Sequence, residues 1–113
     1  MQEAYCVQEV AQDLGLEPED LKEIYESYFE ETHEMLGQWE VLWETKDTDQ
    51  LAKLFHGLKG ASNNLRMNEL GELAKRGEEL AKAGIQDSIL EIMEQFQQEL
   101  QRIEQLVTEF YQG

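Results

Sequence analysis

Leu51 to Leu65 read LAKLFHGLKGASNNL. Apolar or small residues recur at Leu51, Leu54, Phe55, Leu58, Ala61, Ser62 and Leu65. That spacing of three and four lays one stripe along an α-helix. His56 lies off the stripe. Its helical neighbours at i+3, i+4 and i+7 are Lys59, Gly60 and Asn63. The stretch therefore predicts a helix with a core face and a second face bearing an imidazole, an ammonium, a bare backbone position and an amide. Asp47 and Gln50 give it a start with capping-box-like spacing, Thr48 is a rival cap, and the helix ends near Asn64.

The same periodicity extends on both sides. Tyr5, Val7, Val10, Ala11 and Leu14 make a short amphipathic helix over about residues 2–14, stopped by Gly15. Pro18 suits a first helical turn, where a missing N–H costs little. From there Leu21, Tyr25, Tyr28, Met35, Trp39 and Leu42 predict one helix to about Trp43, with Thr32 skipped. After a turn at about residues 64–66, Met67, Leu70, Leu73, Ala74, Gly77, Leu80 and Ala81 line a helix that stops at Gly84. Asp87 is the expected cap of a last helix carrying Ile89, Met93, Phe96, Leu100, Ile103, Val107 and Phe110. No alternating strand pattern appears. Short connections favour antiparallel neighbours, so the expected fold is all-α: an up-down-up-down four-helix bundle over residues 18–112 with a short leading helix at 1–15, all one domain.

Composition narrows the function. The 113 residues are 41 % hydrophobic, enough for one core. Net charge is −16, from 25 acidic and 9 basic residues. Such a surface repels nucleic acid and anionic lipid, so neither is an expected partner. No apolar run is long enough to span a membrane, and the single cysteine, Cys6, has no internal partner. A cytoplasmic monomer is the default expectation. The charge is uneven, however. Residues 46–82 hold seven bases against six acids, whereas 1–45 hold thirteen acids and one base, and 83–113 six acids and one base. A negatively charged ligand or partner should be received on the middle third.

The residue types around His56 suit phosphoryl chemistry. Neutral imidazole is a nucleophile near neutral pH. Lys59 can offset the charge of a phosphoryl group, and Asn63 can donate a hydrogen bond. Two glycines flank the histidine. Each costs a helix interior ~1 kcal/mol relative to Ala. Close approach of a partner explains Gly57 and Gly60, and so does tight packing of a neighbouring helix.

The string His56-Gly57-Leu58-Lys59-Gly60-Ala61-Ser62 resembles the H-x-L-K-G-x-S signature of histidine phosphotransfer (Hpt) domains. The similarity continues through Asn64-Leu65 and through Leu70, Leu73 and Glu78-Glu79. The resemblance implies a phosphoryl-accepting His56 exposed midway along a central helix, with Lys59 and Gly60 one turn on. It implies a polar residue on the next helix that bonds the imidazole. Spacing points to Glu78, where many members have Gln; a carboxylate there would orient the ring and also repel phosphate. Asn63 and Arg66 stand where many members have Gly.

The implied function is a phosphorelay carrier, not an enzyme with its own nucleotide site. It would exchange phosphate with the aspartate of a response-regulator receiver domain, alone or within a hybrid sensor histidine kinase. No cofactor of its own is implied; Mg²⁺ belongs to the receiver. Val7, Val10 and Leu14 on the leading helix, with Gly57, are the candidate docking positions. Two rivals remain: an Hpt-like module that binds a receiver or kinase without transfer, and a bundle hydrolase with His56 as general base, which lacks a second catalytic group. His33, among Glu30, Glu31 and Glu34, reads as a solvated surface residue rather than a metal ligand.

Overall fold

The computed structural model describes residues 5–112. Six helices follow one another: α1 (Val7–Leu14), α2 (Pro18–Leu36), α3 (Trp39–Glu44), α4 (Thr48–Asn64), α5 (Asn68–Lys82) and α6 (Asp87–Gln112). The described residues contain no strand. Side-chain pairs fix the directions. Tyr28 meets Ser62 and Met35 meets Gly57, so α2 and α4 are antiparallel. Tyr111 bonds Pro18 and Glu104 bonds His33, so α6 runs against α2. Phe55 faces Gly77 and Asn63 faces Gly71, so α5 runs against α4. With α6 packed on α5, the four long helices close an antiparallel bundle. The 26-residue α6 is about 39 Å long at ~1.5 Å per residue, which accounts for the 42 Å long axis.

The apolar stripes meet in one core, where Leu21, Tyr25, Leu51, Phe55, Leu58, Leu70, Ile89, Met93, Phe96 and Leu100 are almost wholly buried. Buried polar atoms are paired. Tyr28 and Ser62 share a hydrogen bond of 2.8 Å inside the bundle. Tyr5 donates to the Leu65 carbonyl at 2.8 Å and therefore accepts from Tyr25, 2.6 Å away. Burial pushes the Tyr25 phenol up to about 12 and the Tyr5 phenol higher still, so both stay neutral donors.

Local signals place the ends. Gly15 (φ 70°) and Gly84 (φ 72°) take the left-handed conformation that closes α1 and α5. Asp47 caps α4, its Oδ1 accepting from the Gln50 N–H at 3.1 Å. Arg66 takes the same left-handed region (φ 61°), a conformation that suits Gly better. Its guanidinium offsets the strain by donating to the Asn64 carbonyl at the end of α4 and pairing with Asp13 of α1.

Four expectations need correction. The helix expected over 18–43 is two helices. At Gly37 and Gln38 ψ opens to −14° and −18°, and Gly37 N–H reaches both the His33 and the Glu34 carbonyls. This loosened turn lets α3 bring Trp39 into the core. Asp87 is the first residue of α6 rather than a residue preceding it. Thr32, left out of the stripe, is buried. Val7 and Val10 do not form an exposed docking patch: they are 2 % and 5 % exposed. An eight-residue helix gains little on its own, so α1 spends its apolar face on the bundle. Leu14 is half-buried against the same core. The expected start of the leading helix at residues 2–4 lies outside the described residues.

Phe55 leaves no room at Gly77: a Cβ there would lie 2.5 Å from the ring. Gly77→Ala should therefore lower stability by about 1–3 kcal/mol despite its better helix propensity. A urea midpoint at or above that of the parent chain would contradict this packing.

Candidate functional site

The face of α4 opposite the core carries His56, whose side chain is 69 % exposed. The ring is not sealed in the core, and Lys59 lies beside it. Across the helix pair stands Glu78 of α5, its side chain only 8 % exposed. Glu78 sits next to Gly77, the residue on which Phe55 packs, so the same contact that joins the helices delivers its carboxylate to His56.

Three groups converge on that carboxylate. His56 Nδ1 is 3.0 Å from Oε2. Lys59 Nζ donates to Oε1 at 2.8 Å. Lys82 Nζ, one turn beyond Glu78 on α5, lies 3.3 Å from Oε2. The bond from Lys59 is the largest influence on Glu78; with Lys82 and His56 it outweighs burial and pulls the carboxyl down to about 2. Glu78 is thus anionic at every physiological pH. A carboxylate only accepts, so Nδ1 must carry the proton. Nε2 points away from that bond, on a ring that is mostly in solvent. Two ammonium groups surround one carboxylate, so the repulsion of phosphate expected from Glu78 is more than offset locally.

The two glycines beside His56 differ. A Cβ on Gly60 would meet nothing within 4 Å. A Cβ on Gly57 would lie 2.7 Å from Met35 Cε of α2. Gly60 is open to an approaching molecule, whereas Gly57 is accounted for by helix packing. The Gly57 docking expectation is corrected accordingly. Asn63, expected beside the site, lies two turns along α4, where its amide oxygen packs over Gly71. The structure thus gathers His56, Lys59, Gly60 and Glu78, and leaves Asn63, Gly57, Val7 and Val10 in packing roles. Lys82 is the member that motif reading missed. Its signal was available: a base four residues after an acid on one helix.

Elsewhere, His33 is exposed and its Nε2 pairs with Glu104 of α6 at 2.7 Å. Among the described residues no group of three or more His, Cys, Asp and Glu side chains is arranged to hold a metal ion. No described helix is long and apolar enough to cross a membrane.

Comparison with known proteins agrees with the motif. The family model described as Hpt domain matches residues 23–106, most of the chain. No curated protein and no solved structure matches it.

The depressed Glu78 carboxyl also links stability to pH. Its ion pairs contribute fully above the ordinary value of 4.5 and are lost as pH falls toward about 2. The parent chain should lose stability across that window faster than Glu78→Gln. Parallel urea midpoints for the two proteins down the acid limb would contradict the assignment.

Proposed function

The chain belongs to the Hpt domain family, and on that premise we propose that it is a phosphorelay intermediate that carries a phosphoryl group on Nε2 of His56. The observation that supports this most is the ring itself. It is largely in solvent, with Nδ1 held by an ionised carboxylate and Nε2 pointing away from that bond.

In the forward step Nε2 attacks the phosphorus of a receiver's aspartyl phosphate. The N–P bond forms as the P–O bond breaks, and the aspartate carboxylate leaves. Lys59 and Lys82 both pair with the carboxylate that meets the ring, so the site carries positive charge that suits an incoming phosphoryl group. Gly60 leaves space for the receiver's active-site rim to close on the ring. The receiver supplies the Mg²⁺ and the acidic cluster that holds it; this chain supplies position, charge and a nucleophile. Catalysis on this side is mainly positioning. The reverse step returns the group to an aspartate, so the same site serves as acceptor and donor. The partners are accordingly a receiver domain, free or fused to a hybrid sensor histidine kinase.

The receiver's surroundings need not be strongly basic to dock. The seven bases of residues 46–82 lie on the part of the chain that bears the site, and the remainder of the chain is strongly acidic. Charge therefore favours approach of an acidic active-site pocket to α4 and α5 over other faces.

His56→Gln should keep the fold and accept no phosphate from a labelled, phosphorylated receiver. Undiminished labelling of that variant would refute the assignment. Gly60→Gln, at an open helical position, should hold or raise stability by up to ~1 kcal/mol while slowing transfer about tenfold or more through misplacement of the partner. An unchanged transfer rate would show that the gap at Gly60 is not used.

A further inference from the structure

The four long helices do not close equally on all sides. α4 and α5 meet over the bare backbones of Gly71 and Gly77. α2 and α6 contain no glycine, and aromatic rings stand between them. Helix axes separate by as much as their contact residues require. Phe29 stacks on Tyr25, and Tyr25 meets Tyr111 edge-on. With Val107 these rings floor a cleft of about 470 Å³ between the two helices. We propose that this cleft is a docking groove for a basic amphipathic helix of a partner protein, on the side of the bundle opposite His56. The proposal goes beyond the carrier reading and does not depend on it.

Two polar contacts close the ends of the cleft. Tyr111 donates to the Pro18 carbonyl at 2.6 Å, and His33 pairs with Glu104 at 2.7 Å. Between them the wall on α2 runs from Lys22 to His33, a length of about 16 Å, or three helical turns. The cleft is open along that length, with Lys22, Glu26, Glu30 and His33 exposed on its rim. A small molecule lying there would stay wet on one side, whereas small-molecule sites bury most of their ligand. A helix laid along the trough would set apolar side chains from successive turns on the rings and keep its polar face in water. Tyr25, Phe29 and Val107 are themselves buried, so the base is narrow and admits side chains rather than a whole helix.

Charge sets the sign of the partner. Glu26 and Glu30 of α2 and Glu104 of α6 line the groove. Lys22 is the only lysine or arginine among the described residues that line it. His33 is already bonded to Glu104. Both walls come from the acidic parts of the chain, residues 1–45 and 83–113. Lysines or arginines beside an apolar stripe would meet these carboxylates, whereas an acidic helix would be turned away by like charge. The two sides of the bundle thus sort partners by sign. The bases of residues 46–82 favour an acidic pocket at α4 and α5, and the α2–α6 side favours a basic helix. Because the two sides lie across the bundle from each other, both can be occupied at once.

The probe is a synthetic peptide of about 18 residues, long enough to hold a helix, with leucines at i, i+3, i+4 and i+7 and lysines elsewhere. A scrambled peptide of the same composition is the control. Each is titrated into the ¹⁵N-labelled full chain at about 0.15 M salt, where distant surface charges are screened. The patterned peptide should shift amide signals within residues 22–33 and 104–112 and leave those around His56 unmoved. The scrambled peptide should bind at least about tenfold more weakly. Glu26→Lys combined with Glu30→Lys should keep the amide spectrum of a folded chain and weaken the patterned peptide about tenfold or more. The same reversal outside the groove, Glu91→Lys with Glu94→Lys at exposed positions, should cost less than about threefold. Equal losses in the two variants, equal binding of the two peptides, or shifts spread over the whole acidic surface would mean attraction without a groove and overturn the inference. Groove signals that move with protein concentration alone would assign the cleft to a second copy of this chain, and binding of hexylamine as tight as that of the peptide would assign it to a small organic cation; either overturns the inference. None of these results bears on the carrier reading, which fails only if His56 takes no phosphate.

Discussion

Everything at this site depends on how closely α4 and α5 approach. Phe55 lies against the bare backbone of Gly77, and Asn63 lies over that of Gly71. With ordinary side chains at those two positions the helices would stand further apart. A carboxylate on α5 could then no longer bond a ring on the outer face of α4. The apolar stripe of α4 and the reactive face of α4 are thus coupled: one contact buries Phe55 and sets the reach of Glu78, its partner's neighbour in sequence. The three-residue turn at Leu65–Met67 holds the pair in register, and Arg66 ties that turn to α1 through Asp13.

The second constraint is electrostatic. A chain of net charge −16 is a poor host for phosphate. At this site two lysines from different helices pair with one carboxylate, Glu78, which also meets the imidazole. Glu78 holds both ammonium groups in place. Exposed ion pairs contribute little to stability. Here the carboxylate is nearly buried and bonded three times, so its importance lies in pre-organisation of the site rather than in the fold.

The helices and the reactive face were legible in the sequence because both follow from period. Leu51, Leu54, Phe55 and Leu58 repeat at helical spacing, and His56 falls between the repeats. What period does not encode is which neighbour meets which face. Gly57 and Gly60 look alike on paper; only the position of Met35 separates a packing glycine from an open one. Val7 and Val10 look available on a short amphipathic helix, yet so short a helix is held only by burying them. The turn at Gly37 is invisible to a pattern that continues through Met35, Trp39 and Leu42, because a residue or two of loosened helix shifts the stripe without breaking its spacing. Lys82 escaped because its role passes through Glu78, a residue the motif itself places only by analogy.

If His56 is the atom-level seat of the phosphoryl group, the label must be found there. The most direct measurement is to incubate the parent chain with a phosphorylated receiver and map the label by fragmentation mass spectrometry under alkaline conditions. A single acid-labile, base-stable phosphoryl group on His56 is the predicted result. Label on His33, on a carboxylate or hydroxyl, or nowhere in the chain would contradict it.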